Sequence, residues 1–551
     1  MLNSLLLYTS LLVVILLLVM LARKVNIAYP IILVLGGLVV SFIPHMPAIS
    51  IDPEIIFVIF LPPLLYEAAW ATSWKELWKW RRVISSFAFL IVIVTALVVA
   101  LVSARFIPGF TLALGFLLGG IVSPPDAVSA STVLKNIKVP KRMLAIIEGE
   151  SLLNDAASLI VFRFALIAIN TGTFVLHEAA GSFFIVIILG IAVGLGVGLV
   201  FYAIHRWLPT TSNMDILLTF IEPYIMYIVA ERFHVSGVLA VVSGGLFLRS
   251  RSYSIMGYRS RFQGQQVWST IAFALNGFIF LLIGLELPVL VRALGPDGLP
   301  FAIKCGLMIS LLLIVLRLLC TFGASAFTVF ISRYITTADS RPGWKAPLIF
   351  GWAGMRGVVS LAAALSIPLF LPDGTPFPYR NLILFITFTV IIVTLVLQGL
   401  TLPALVRLVN LPELDYQRST QEQEIILRKK MSMRALEVMD QRYARQYRNN
   451  CWVLSLESRL KSDVSMLGQI KFTPLGQGDG VAAIETAGVK ETLSISYADY
   501  RMVSLDLVQA QRQLLHELNK KEELDERVIR KYQNLLDLEE EKMRRQFGED
   551  E

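Results

Sequence analysis

The sequence predicts an all-α polytopic membrane protein with about thirteen transmembrane helices and a helical cytoplasmic tail. Three observations predict this. Apolar residues make up 56% of the 551 residues, only 16% are charged, and the mean hydropathy is +0.67, a balance far from that of soluble proteins. The apolar residues are grouped in segments long enough to cross a bilayer. The last part of the chain is instead rich in charge, with apolar residues at helical spacing.

The apolar segments of membrane-spanning length follow one another through most of the chain. They are 4–21, 27–43, 54–70, 83–105, 109–133, 142–170, 181–204, 213–231, 235–249, 267–290, 299–332, 346–370 and 380–408. The short segment 235–249 is predicted to be tilted or partly re-entrant. The first segment precedes Arg23 and Lys24 and follows no basic region, so we expect a retained span and not a cleaved signal peptide.

The loops between these segments carry positive charge on one side of the membrane. Alternate loops hold 18 Lys and Arg in one set and 5 in the other, which places the first set in the cytoplasm and the N-terminus outside. The cytoplasmic set is Arg23, Lys24, Lys75, Lys79, Arg81, Arg82, Lys135, Lys138, Lys141, Arg142, Arg206, Arg249, Arg251, Arg259, Arg261, Arg333, Arg341 and Lys345. The positive excess is therefore explained by topology, and no nucleic-acid partner is expected.

The chain is predicted to divide into a transmembrane domain, 1–410, and a cytoplasmic tail, 411–551. Residues 1–410 contain 27 Lys and Arg against 16 Asp and Glu, whereas residues 411–551 contain 22 against 25, so the net charge is +11 and −3 respectively. The tail predicts two long helices, from Gln417 to about 465 and from about 497 to Arg545, joined by a linker that contains Pro474 and three glycines. Either a solvated helical hairpin or a regulatory, dimer-contacting module fits this pattern. The three cysteines suggest neither disulfides nor a metal site.

Four polar residues, Glu150, Ser151, Asn154 and Asp155, interrupt the apolar segment 142–170. On a helix they fall within roughly 140° of arc and share one face. An ionisable side chain at bilayer depth costs roughly 3 kcal/mol or more, so it usually faces a cavity or a partner and marks an ion or proton path. Their oxygens are ligands that a hard monovalent cation would use. The alternative is that the two carboxylates are buried in salt bridges.

Consecutive prolines in Ser123-Pro124-Pro125-Asp126-Ala127 predict a break within the fifth segment. A break inside the membrane is tolerated where the freed carbonyls line a cavity or meet another partner, as in transporters that bind cations at the midplane. Asp126 lies at the break and is expected to be a ligand or to stabilise a helix end. A simple proline kink is the alternative.

Further charged residues lie in or near apolar segments. Arg356 stands among glycines in the twelfth segment, and we expect it to pair with Glu150, because Asp126 and Asp155 are more useful free. Glu67, near the cytoplasmic end of the third segment, would line an entry funnel or reach the interface. Arg163 faces away from the 150–155 face and is expected to be structural. Its candidate partners are Glu222, Glu231 and Glu286.

At four places the chain resembles the NhaP-like sodium/proton antiporters, a family of cation–proton antiporters that includes the animal plasma-membrane exchangers. The motifs are Ser123–Ala127, Gly149–Ala156, Val235–Val242 and Arg356–Ala362, and the match covers about residues 1–410. The resemblance implies a homodimer of inverted repeats with a dimerisation domain and a six-helix core. It also implies elevator-like alternating access in the plasma membrane, and a role in pH homeostasis.

The resemblance also implies roles for single residues. Asp155 would bind the ion and the proton in competition, because protonation removes the charge that holds the cation. Asp126, Ser151 and Asn154 would be further ligands of the ion. The family usually has Thr where this chain has Pro125, so only the main-chain carbonyl of Pro125 remains to serve. Glu67 would act through water, and Glu150 with Arg356 would be a structural pair.

Asn154 stands where electrogenic relatives have a second aspartate, so the resemblance implies one-for-one, electroneutral exchange. The expected substrates are protons and sodium, with potassium or lithium as further ions. Membrane lipid is expected to surround the protein, and neither a cofactor nor an enzymatic activity is expected. Potassium/proton exchange on the same scaffold is the nearest alternative. An intramembrane aspartyl protease also uses two aspartates on neighbouring spans, but no Gly-x-Gly-Asp segment is present at either site. Intact Asp126 and Asp155 argue against a sensor that has lost transport.

Overall fold

The structure is a computed structural model of the chain. It describes residues 2–42, 53–134, 137, 139–172, 176–331, 343–410, 420–443, 450–469, 497–520 and 524–546. Four residues of the predicted cytoplasmic loops, Lys135, Lys138, Arg333 and Arg341, and the predicted tail linker lie outside the described residues. Packing divides the chain into two compact units, Met1–Asp415 and Tyr416–Glu551.

The described part of the first unit is helical. Its α-helices are α1 (Leu2–Val25), α2 (Tyr29–Val40), α3 (Pro53–Ala71), α4 (Trp74–Lys79), α5 (Arg81–Ser85), α6 (Val92–Phe106), α7 (Leu112–Val122), α8 (Ala127–Leu134), α9 (Lys141–Thr171), α10 (Leu176–Trp207), α11 (Ser212–Arg232), α12 (Gly237–Ile255), α13 (Tyr258–Ile331), α14 (Lys345–Trp352), α15 (Val358–Leu365), α16 (Arg380–Val393) and α17 (Gly399–Val409). Two π-helical segments, Ser86–Ile91 and Thr394–Gln398, join α5 to α6 and α16 to α17.

These helices confirm the predicted fold class, an all-α polytopic membrane protein. Among the described residues, seven helical stretches are long and apolar enough to cross a membrane, and two shorter apolar helices accompany them. Each predicted segment coincides with a helix or a pair of helices, but the number of crossings stays a prediction. The predicted segments 267–290 and 299–332 belong to the single element α13, which turns at Gly295, where φ is +71°, a conformation that glycine adopts without steric cost.

Two clusters of buried apolar side chains form the core of the first unit, and the breaks in two helices lie where one cluster meets the other. Helix α7 packs into the first cluster through Leu117 and Ile121, whereas α8 packs into the second through Ala130. Similarly, α15 contributes Leu361 to the first cluster and α14 contributes Ile349 to the second. Each broken span therefore passes from one cluster to the other at its break.

The second unit contains four α-helices among its described residues and not the two long ones that were predicted. They are α18 (Thr420–Val438), α19 (Cys451–Gln469), α20 (Tyr497–Lys520) and α21 (Glu526–Gln546), with a π-helical segment at Met439–Tyr443. Leu427, Leu515 and Ile529 are buried together, so α18, α20 and α21 share a core. Arg512 also bridges α20 to α21, with nitrogen–oxygen distances of 2.7 Å to both Asp537 and Glu540.

Candidate functional site

Two interrupted helices meet at the centre of the candidate site. One interruption separates α7 from α8 at residues 123–126, which confirms the break predicted from the prolines, and the other separates α14 from α15 at residues 353–357. The main-chain N–H of Asp126 donates to the carbonyl of Met355 at 2.7 Å. In return, Nε of Arg356 donates to the carbonyl of Val122 at 3.0 Å. Each interruption thus satisfies backbone groups that the other leaves without a helical partner.

Arg356 is buried in this crossing, with 1% of its surface exposed. Besides Val122, its guanidinium donates to the carbonyl of Gly354, and its main-chain N–H donates to the hydroxyl of Thr394 at 3.2 Å. The guanidinium therefore lies where α7 and α14 end, and these ends carry the negative partial charge of the helix dipole.

Asp126 caps the N-terminus of α8. Its carboxylate accepts hydrogen bonds from the main-chain N–H groups of Val128 at 3.0 Å and Ser129 at 3.2 Å, and from the Ser129 hydroxyl at 2.6 Å. Gly357 packs so closely that a Cβ there would overlap the Asp126 carboxylate. Of the two roles expected for Asp126, the geometry shows the stabilisation of a helix end, and its role as an ion ligand stays a prediction.

Helix α9 fixes the interruption between α7 and α8 from a third side. The Ser151 hydroxyl accepts from the main-chain N–H of Ala127 at 3.1 Å, and the Asn154 amide donates to the carbonyl of Pro125 at 3.0 Å. The Asn154 side-chain oxygen is buried and has no hydrogen-bond partner within the described residues. Ser151, Asn154, Pro125 and Asp126 are therefore brought together, and their roles as ion ligands stay predictions.

Asp155 differs from these residues because its carboxylate has no donor within the part of the chain that the structure describes. Its side chain is buried, with 7% of the residue exposed. Throughout the described ranges no residue donates a hydrogen bond to its carboxylate, and Ser158 donates only to its main-chain oxygen, at 2.9 Å. A buried carboxylate without a protein partner is costly unless a proton or a cation occupies it.

The predicted ion pair between Glu150 and Arg356 is wrong, because Glu150 pairs with Arg317 on α13. The Oε2 to Nη2 distance is 2.6 Å and the Oε1 to Nη1 distance is 2.5 Å. Both side chains are buried, and the Arg317 guanidinium also lies over the Phe87 ring, 5.7 Å from its centroid. Sequence reasoning missed Arg317, although a lone arginine in the apolar run after Gly295 is the same signal that drew attention to Arg356.

Glu67 and Arg163 lie on α3 and α9, outside the two helix breaks. Glu67 is partly buried on α3, and Tyr29 on α2 is within electrostatic range of both Glu67 and Asp126. Arg163 lies 3.7 Å from Glu231, one of its three candidate partners, and both side chains are more than one-third exposed. Such an exposed pair contributes little to stability.

The polar groups around the helix crossing are oxygen ligands. Among the described residues, no three His, Cys, Asp or Glu side chains are grouped as they would be to hold a metal ion. Carboxylate, hydroxyl, amide and main-chain oxygens surround the helix crossing instead, and these are ligands of hard cations.

Comparisons with known proteins agree with this geometry. Residues 10–408 match the family model described as "Sodium/hydrogen exchanger, transmembrane". The chain belongs to this family. The fold resembles that of the sodium proton antiporter MjNhaP1 from Methanocaldococcus jannaschii, with a TM-score of 0.58, 19% identity, and 71% of this chain and 97% of the other covered.

Two relatives of this chain are named after the ions that they exchange. The "Sodium, potassium, lithium and rubidium/H(+) antiporter" of Bacillus pumilus is 34% identical over 388 residues, which are 68% of this chain. The match spans only 57% of the length of that relative. The "Na(+)/H(+) antiporter ApNhaP" of Aphanothece halophytica is 31% identical over 419 residues, covering 75% of each chain. The chain thus resembles NhaP-like monovalent cation:proton antiporters within this family.

The pair of Glu150 and Arg317 gives a first prediction. Arg317→Ala or Glu150→Ala strands a buried charge and should cost about 3–5 kcal/mol of folding stability. The neutral double variant should recover part of that loss, a coupling that a double-mutant cycle of thermal unfolding measures. Arg163→Ala, which removes a half-exposed partner, is the matched control and should cost about 1 kcal/mol or less. A loss in Arg317→Ala no greater than in the control would contradict the assignment.

The contact between Gly357 and Asp126 gives a second prediction. In Gly357→Ala the new Cβ overlaps the carboxylate that caps α8, so the Tm and the yield of folded protein should fall. Gly196→Ala is the control, because the new Cβ would meet no atom within 4 Å and alanine has a higher helix propensity than glycine. Thermal unfolding of both purified variants makes the comparison, and equal Tm values would show that the contact is unimportant.

Proposed function

We propose that the protein is a secondary active antiporter that exchanges sodium ions for protons across the plasma membrane. The observation that carries the proposal is Asp155, a buried carboxylate beside a crossing of two broken helices and without a donor among the described residues. The Asp126 carboxylate and the Ser151 hydroxyl already have protein partners, so Asp155 is the carboxylate left for a transported ion. Membership of the sodium/hydrogen exchanger family supports the same function.

In this mechanism a sodium ion and a proton compete for Asp155. The ionised carboxylate attracts the cation, and protonation removes that attraction, so one site holds one or the other. Asp126 is the nearest other carboxylate in the crossing, and two carboxylates in a partly desolvated site disfavour the state in which both are charged and unoccupied. Sodium binding or protonation relieves this repulsion, and the Ser151 hydroxyl and the Asn154 side-chain oxygen provide further ligands.

Alternating access is proposed to be elevator-like, with the site moving as a rigid body. The helix crossing ties α7 and α8 to α14 and α15 through Met355 and Val122. The pair of Glu150 and Arg317 ties α9 to the part of α13 that follows Gly295. These links would carry the ion site intact from one side of the membrane to the other.

The setting of the transporter rests on the same family argument. We propose a homodimer surrounded by membrane lipid, with the N-terminus outside and the tail in the cytoplasm, as the distribution of Lys and Arg favours. Residues 1–410 would form the exchanger domain and 411–551 the cytoplasmic tail. The function would serve pH homeostasis.

Potassium/proton exchange is the second candidate. The relative from Bacillus pumilus is described as acting on potassium, lithium and rubidium as well as sodium. Pro125 also offers the site only a carbonyl, which already accepts from Asn154 and has a single lone pair left. Side-by-side titrations with sodium and potassium in proteoliposomes of the purified chain separate the two candidates.

The proposal predicts that Asp155→Asn abolishes exchange while the protein stays folded. An amide of the same shape cannot alternate between a protonated and a cation-bound state. Sodium-driven proton flux should drop to the rate of protein-free liposomes, whereas Asp373→Asn, at an exposed position in a loop, should keep the wild-type rate. Retained flux in Asp155→Asn would exclude competition at this residue.

One-for-one stoichiometry predicts that exchange neither creates nor responds to a membrane voltage. The pair at positions 154 and 155 supplies one carboxylate, so each cycle moves one charge in each direction. Clamping the voltage with valinomycin, at potassium concentrations that drive no proton flux themselves, should leave sodium-driven exchange unchanged. A rate that followed the imposed voltage would rule out this stoichiometry.

A further inference from the structure

A second group of titratable side chains is buried away from the helix crossing, between α10 and α11. Nδ1 of His205 lies 3.0 Å from Oδ1 of Asp215, and Nε2 lies 2.9 Å from Oε1 of Glu222. The side chains of His205 and Glu222 are 0% exposed and that of Asp215 is 5% exposed. The proposed exchange mechanism uses none of these three residues, which we call the His205 triad.

The free oxygen of each carboxylate in the His205 triad also has a neutral donor. The Tyr66 hydroxyl on α3 donates to Oε2 of Glu222, and the Ser260 hydroxyl on α13 donates to Oδ2 of Asp215 at 2.6 Å. Four helices therefore meet at this group, and their polar atoms are joined in one chain of hydrogen bonds. Such a network is stable only while every member is satisfied.

The proton count of the triad follows from its geometry. A neutral imidazole has one N–H and one lone pair, whereas an imidazolium has two N–H donors. Both ring nitrogens of His205 face carboxylate oxygens, so, with both carboxyl groups ionised, only the imidazolium can donate to each of them. Without that proton, a nitrogen lone pair would face a carboxylate oxygen and two buried negative charges would have no cation between them.

Three arginines on the surrounding helices contact other partners. Arg206 donates to the carbonyl of Ser254 at 3.0 Å. Arg249 lies over the rings of Trp70 and Tyr253, with centroid distances of 5.6 and 5.7 Å, and Arg261 lies over Tyr253 at 4.9 Å. Three further charged residues lie on helices that surround the triad: Glu67 on α3, Arg251 on α12 and Arg259 on α13.

We propose that His205 is a second proton-binding site, held as an imidazolium between Asp215 and Glu222, whose deprotonation sets the alkaline limit of exchange. The link to transport is α3. Tyr66 anchors this helix to Glu222, and the same helix packs against α9, which carries Asp155, and against α15 beyond Gly357. Loss of the proton removes the tie between α10 and α11 and the fixed orientation of Glu222, so α3 loses its anchor.

The proposal makes signed predictions for two conservative variants. Tyr66→Phe removes a donor to the ionised Glu222, so the triad should keep its proton to higher pH. Asp215→Asn removes the anion beside Nδ1, so the imidazolium should lose its proton at lower pH. The alkaline limb of the exchange profile should therefore shift by about one pH unit, upward in the first variant and downward in the second.

The proton site is tested without any transport measurement. The ¹⁵N spectrum of histidine-labelled full-length protein, without sodium or a gradient, should show two protonated nitrogens for His205 at neutral pH and loss of one at alkaline pH. The signal that disappears in His205→Gln belongs to His205, one of the five histidines. If His205→Gln does not fold, the signal that shifts in both Tyr66→Phe and Asp215→Asn identifies His205 instead. A single protonated nitrogen at neutral pH would overturn the site.

The coupling to exchange rests on the proposed function and is tested by the pH profiles. His234→Gln, at an exposed histidine, is the control and should leave the alkaline limb in place. Limbs that stay unchanged, or that move in the same direction in Tyr66→Phe and Asp215→Asn, would overturn the coupling. Absence of exchange in the wild-type chain would overturn the proposed function and the coupling, while the spectrum would still decide the proton site.

Discussion

Backbone groups released by a helix break inside a membrane need partners within the protein, and in this chain the two breaks supply each other. The N–H of Asp126 reaches the carbonyl of Met355, and the Arg356 guanidinium reaches the carbonyl of Val122. Pro124 and Pro125 have no N–H, so the first break releases fewer donors than a break elsewhere would. The crossing is therefore the arrangement on which both interrupted spans depend.

This use of Arg356 determines how the other buried charges are distributed. Because its guanidinium is committed to helix-end carbonyls, Glu150 needs a different cation, and Arg317 supplies it from α13. Asp126 is likewise committed to the N-terminus of α8. Asp155 is the carboxylate of this region without such a partner among the described residues, and in the proposed mechanism it is the one whose occupancy changes.

The sequence predicted those features that depend on local chemistry. Two prolines predicted the break before Asp126, and helical spacing predicted that Ser151 and Asn154 share the face that meets it. The partner of Glu150 could not be predicted in this way, because helical periodicity indicates which residues share a face but not which helix packs against it. The His205 triad was missed for the same reason, because His205 lies on α10 and its two partners, Asp215 and Glu222, lie on α11.

The electrostatics of the crossing support the proposal that one carboxylate controls the site. The N-terminus of α8 carries positive partial charge that the Asp126 carboxylate offsets, and the C-termini of α7 and α14 carry negative partial charge that Arg356 offsets. Glu150 and Arg317 also offset one another. With these charges balanced inside the protein, the charge that varies in the proposed mechanism is that of Asp155, which a proton or a sodium ion would neutralise equally. A site balanced in this way carries the same charge in both loaded states, which is the condition for exchanging one ion for the other without moving net charge.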